Sequence, residues 1–136
     1  MQSLGSSIRR GARVANPVVA ALVVALVFVQ VYLIASFIFG DAGALDAHMT
    51  VGRVTVGCEL LVLLTALIGW WGDWAQIKSA VALVFVGALQ ASLAKDIGNS
   101  PQVHALHGFL ALAVAALAWS IVSRRRGELV ALVKNA

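Results

Sequence analysis

The sequence predicts an all-α membrane protein, a four-transmembrane-helix up-down-up-down bundle built from a duplicated helical hairpin. Three observations carry this expectation. Of the 136 residues, 61% are apolar and only 12% charged, more hydrocarbon than a soluble domain of this size could hide from water. The apolar residues form long continuous runs rather than the short alternating segments of a barrel, and in a bilayer only helices and closed barrels satisfy every backbone polar group. Two stretches of the chain also repeat.

The first span covers residues 17–39, with Gln30, Tyr32 and Ser36 as its polar side chains. Arg9, Arg10 and Arg13 precede it in the manner of a secretory signal. The apolar run is too long for a signal core and three more spans follow, so it reads as a retained anchor. The second span, 47–68, carries His48, Arg53 and Glu59. The third, 78–93, is short and borrows flanking residues or thins the bilayer. The fourth, 103–122, follows Ser100-Pro101, a helix cap with proline at the first helical position. All four belong to one membrane domain, 1–136, and the short connections make neighbours antiparallel.

Arg9, Arg10, Arg13, Lys78, Arg124, Arg125, Arg126 and Lys134 fall on one side of the membrane in this arrangement, against Lys95 on the other. The positive-inside rule makes the first side, with both termini, cytoplasmic. Trp70, Trp71, Trp74 and Trp119 then form an aromatic belt at that interface, and the basic run at 123–126 is a topological anchor against anionic lipid. Because the basic residues sit at span ends, the formal charge of +4 does not point to nucleic acid. Cys58 is the sole cysteine, which excludes a disulfide framework and a covalent CxxCH haem attachment. It reads as a small core residue.

The repeat is Val-Ala-Leu-Val-Phe-Val at 24–29 and again at 81–86. Downstream, His48 with Gly52 aligns with His104 and Gly108 after a gap of one, giving two His-x-x-x-Gly elements near the starts of helices 2 and 4. Helices 2 and 4 run parallel on a diagonal of the bundle. A pseudo-twofold axis along the membrane normal would bring the two imidazoles face to face at one depth, the geometry that clamps a haem iron from both sides. Gly52 and Gly108, one turn deeper on the same faces, would let a porphyrin approach the backbone. His107 is the alternative ligand, one turn beyond His104 and about 60° round. Arg53 either snorkels to the headgroups or neutralises a haem propionate. Glu59 is either a neutral carboxyl hydrogen-bonded to a neighbouring helix, with Gln30 or Gln90 as partner, or a proton relay toward the haem.

With histidines near the outer ends of helices 2 and 4, the chain resembles one half of haem A synthase. It is similar, over residues 17–122, to a group of small bacterial four-helix membrane proteins with a His-x-x-x-Gly on the second helix and a Val-His or Leu-His element on the fourth, here Val103-His104. The resemblance implies the bacterial inner membrane and metal ligation by His48 and His104. The chain lacks the His-Arg pair and Glu-x-x-His element of the synthase, so methyl-group oxidation is not implied. The expectation is a b-type cytochrome-like protein binding non-covalent haem b at His48, Gly52, Arg53, His104, His107 and Gly108. It would transfer electrons with a quinone or a redox partner protein, in lipid, alone or in a homo-oligomer or larger complex. The alternative is an accessory subunit of a membrane complex without cofactor, and whether any enzymatic activity exists stays open.

Overall fold

A computed structural model describes residues 2–94 and 100–134. Lys95, assigned above to an outer loop, lies outside them. The described residues form four helices: α1 (Gln2–Ile38), α2 (Ala44–Gly69), α3 (Trp74–Leu93) and α4 (Pro101–Lys134). All four are long and apolar enough to cross a membrane. They pack as a ring in which α1 touches α2 and α4, and α3 touches α2 and α4. The diagonal pairs, α1 with α3 and α2 with α4, face each other across the centre.

Each helix presents one seam to that centre at three- and four-residue spacings, as helices packed in a bundle do. On α1 the seam is Ala12, Asn16, Ala20, Val23 and Val27; on α2 it is Thr55, Glu59, Val62, Ala66 and Gly69. On α3 it is Ile77, Ala80, Leu83 and Gly87, and on α4 Ala111, Val114, Ala118, Ile121 and Arg125. Alanine and glycine recur at these positions because lipid tails are as apolar as leucine. Association inside a bilayer therefore depends on close backbone approach more than on hydrophobic burial. The outward faces carry large apolar residues such as Phe28, Leu64, Phe85 and Leu112.

Helices α1 and α4 exceed the spans expected from sequence. Proline was taken as the start of the first span, yet α1 runs through Pro17 back to Gln2. The loss of one backbone hydrogen bond at Pro17 is tolerated where neighbouring helices supply contacts. Pro17 and Asn16 are fully buried, and Asn16 Nδ2 donates to Val62 O at 2.7 Å and to Thr65 Oγ1 at 2.9 Å. Arg13 Nε donates to Gly69 O at 2.9 Å. At about 1.5 Å per residue, α1 and α4 outrun a hydrocarbon core of about 30 Å. Their surplus lies at the end of the bundle that carries both termini, the terminal end.

The turns follow their glycines. Gly40, at φ 108°, closes α1 as Asp41 N donates to Ser36 O and Gly40 N to Phe37 O, both at 3.0 Å, the Schellman pattern. Gly72, at φ 87°, occupies the third position of a turn closed by Asp73 N donating to Trp70 O at 2.9 Å. Helix α4 begins at Pro101, as its Ser-Pro start predicts.

A histidine pair at the distal end of the bundle

The fully packed core occupies the terminal and middle parts of the bundle. Toward the distal end it stops. No described residue of 28–38 in α1, 45–54 in α2, 88–93 in α3 or 101–110 in α4 is buried. The four seams continue there with polar side chains: Gln30 on α1, His48 and Gly52 on α2, Gln90 on α3 and His107 on α4.

Each hairpin fixes one imidazole in the same way. His48 Nδ1 lies 3.1 Å from the backbone carbonyl of Gln30, across α1 and α2. His107 Nδ1 lies 2.9 Å from the backbone carbonyl of Gln90, across α3 and α4. A carbonyl oxygen only accepts, so each Nδ1 is the donor, and in the neutral imidazole this leaves the lone pair on Nε2. The two rings then meet across the diagonal with centroids 6.4 Å apart and planes inclined by 69°. Both imidazoles are half-buried.

The other candidate residues fall differently. His104 is exposed and makes no side-chain hydrogen bond among the described residues; it is His107 that stands opposite His48. Arg53 and Gly108 also lie on exposed faces. A Cβ added at Gly108 would meet nothing within 4 Å, whereas one at Gly52 would lie 2.8 Å from Gln30 Nε2. The space at Gly52 is thus taken by Gln30.

Gln30 and Gln90 enter the site through their backbone carbonyls, a role that no side-chain pattern announces. The structural counterpart of His48 could have been found from the seam period. His107 lies four residues before Ala111, as the α4 seam requires, whereas the His-x-x-x-Gly alignment selects His104.

Glu59 is 2% exposed and makes no hydrogen bond with Gln30, Gln90 or any other described residue. Its carboxyl fills the space above Gly87 of α3, where a Cβ would collide with Oε2.

At the terminal end, Arg125 is 4% exposed and its guanidinium lies 3.5 Å from the centre of the Trp70 ring, with Arg13 at 5.6 Å. Arg125 also donates to Gln76 O at 2.9 Å, and Arg124 donates to Ser79 Oγ at 2.7 Å.

No protein-family model, curated protein or solved structure matches the chain. No group of three or more metal-ligating side chains occurs among the described residues, so any metal held at this site would need other donors besides the two imidazoles.

Proposed function

We propose that the protein is a b-type cytochrome of the bacterial cytoplasmic membrane, holding one non-covalent haem between His48 and His107. The observation that carries this reading is the facing pair of imidazoles. The ring centroids stand 6.4 Å apart, the spacing that two imidazoles sharing one metal ion would take with metal–nitrogen bonds of about 2 Å. A porphyrin would supply the remaining donors, so that His48 and His107 would suffice as protein ligands.

The chain's residues would work as follows. The carbonyls of Gln30 and Gln90 hold each ring in the tautomer that presents Nε2, and a hydrogen bond to Nδ1–H raises the basicity of the ligating nitrogen. Arg53 and His104, on exposed faces of α2 and α4, are the polar groups available to propionates. Held by His48 and His107, a haem would supply one-electron transfer chemistry. The exchange partner would be a quinone or a redox protein. The positive-inside rule puts the termini in the cytoplasm and the histidines toward the outer leaflet.

Protein purified from haem-replete cells should show a Soret band and, on reduction, sharp α and β bands of low-spin iron. A folded, colourless protein would refute the reading and favour a cofactor-free accessory subunit.

A further inference from the structure

We propose that Glu59 is a proton acceptor coupled to the haem, so that the carboxylate takes up one proton when the iron is reduced. The proposal rests on the haem reading above and adds a second function to the same bundle, electron transfer linked to proton movement.

Four features point to Glu59. Among the described residues, Asp41 and Asp73 lie in the connections and Asp46 in the first turn of α2, whereas Glu59 lies in the middle of α2 and is buried. It is buried on the inward seam of α2, eleven residues and about 16 Å of helix beyond His48. An ionisable group at such depth is expensive and marks function before packing. Its place is prepared by a neighbour: Gly87 on α3 is the residue that leaves room for the carboxyl. Gly87 stands three residues, about 4.5 Å of rise, before Gln90, whose carbonyl holds His107. The carboxyl seated on Gly87 is therefore about one helical turn from the level of the Gln90 carbonyl.

The interval between site and carboxyl is polar. Thr55, buried on the same α2 seam, and Gln30, whose Oε1 is buried without a hydrogen-bond partner, lie between the two levels. Thr55 Oγ1 donates to Val51 O at 2.9 Å, and the Gln30 Oε1 can accept a hydrogen bond from a water molecule.

The surroundings of Glu59 contain few competing charges. From α1, the only titratable group beyond Pro17 is Tyr32, which is exposed; α3 contributes none between Lys78 and Leu93. Across the diagonal, α4 offers His104 and His107, and α2 itself carries Asp46, His48, Arg53 and buried Cys58.

The step balances simply. One electron from a reduced redox partner converts ferric to ferrous iron, and one proton from the aqueous phase converts the Glu59 carboxylate to the acid. Loss of one positive charge between the two imidazoles would raise the proton affinity of the carboxylate, and by reciprocity the midpoint potential should fall as pH rises through the titration of Glu59.

The test is reduced-minus-oxidised infrared difference spectroscopy of the purified protein in lipid, paired with redox titration across pH. Reduction should produce the carbonyl band of a protonated carboxylic acid that shifts in D2O and is absent in Glu59→Gln. The same variant, nearly isosteric and neutral, should lose this part of the pH dependence while keeping the haem spectrum; Glu59→Asp should retain both. A haem spectrum without the carboxyl band, or with an identical band in Glu59→Gln, would overturn the proposal and leave the cytochrome reading standing. Absence of a haem spectrum would overturn both.

Discussion

Arg125 provides a sharp test of the packing, because its two neighbours in the Ser-Arg-Arg-Arg run have the same charge and different surroundings. Arg124 and Arg126 are exposed, whereas Arg125 is 4% exposed and stacked at 3.5 Å on Trp70. A desolvated cation–π contact is worth about 2 kcal/mol. The 2.9 Å bond from Arg125 to Gln76 O is charge-assisted, in the class worth about 1.5–3 kcal/mol. The two share one guanidinium and do not add fully, so Arg125→Ala should destabilise the bundle by about 3 kcal/mol. Arg125→Lys keeps the charge and loses the planar stack, and should cost about half as much. Arg126→Ala, on an exposed face, should cost less than about 0.5 kcal/mol. The assay is reversible unfolding in mixed micelles, followed by tryptophan fluorescence to which Trp70 contributes. Equal effects of the Arg125 and Arg126 changes would show that the run is only a charge anchor and that the stack on Trp70 is not formed.

Two other perturbations address the site and its orientation. Gly52→Leu drives a side chain into the position of Gln30 Nε2, and overpacking of this kind costs about 1–3 kcal/mol. It should loosen the Gln30 carbonyl from His48 and lower haem retention on purification, whereas Gly108→Leu, with open space around it, should leave retention unchanged. For topology, a cysteine at Ala42 should react with an impermeant thiol reagent applied to intact cells and one at Ala75 should not; Cys58 is buried. The reverse pattern would put the histidine pair in the inner leaflet.

The architecture was legible because its causes are local and additive. Span length, the scarcity of charge within spans, short connections and the Ser100-Pro101 start each depend on a few adjacent residues, and each reappears in the helices. The helix extensions were less legible. Charges at Arg9 to Arg13 and Arg124 to Arg126 end a hydrophobic span, yet they do not end a helix, since nothing in those segments breaks backbone hydrogen bonding. The histidine pairing was only half legible. His48 sits where its spacing indicates, but the choice between His104 and His107 depends on the rotation of α4, fixed by Ala111, Val114, Ala118 and Ile121 packing one turn and more away. The roles of Gln30 and Gln90 were hidden altogether, because a backbone carbonyl carries no residue signature. Glu59 was visible as an isolated charge, whereas its seat on Gly87 comes from the register of two helices.

Which histidine completes the site is decided most directly by the optical spectra of single variants. His48→Ala and His107→Ala each remove one imidazole of the facing pair and should convert the low-spin spectrum to high-spin or lose the haem. His104→Ala removes an exposed side chain and should preserve the low-spin Soret, α and β bands. Loss of the low-spin signal in His104→Ala, with its retention in His107→Ala, would contradict the pairing of His48 with His107.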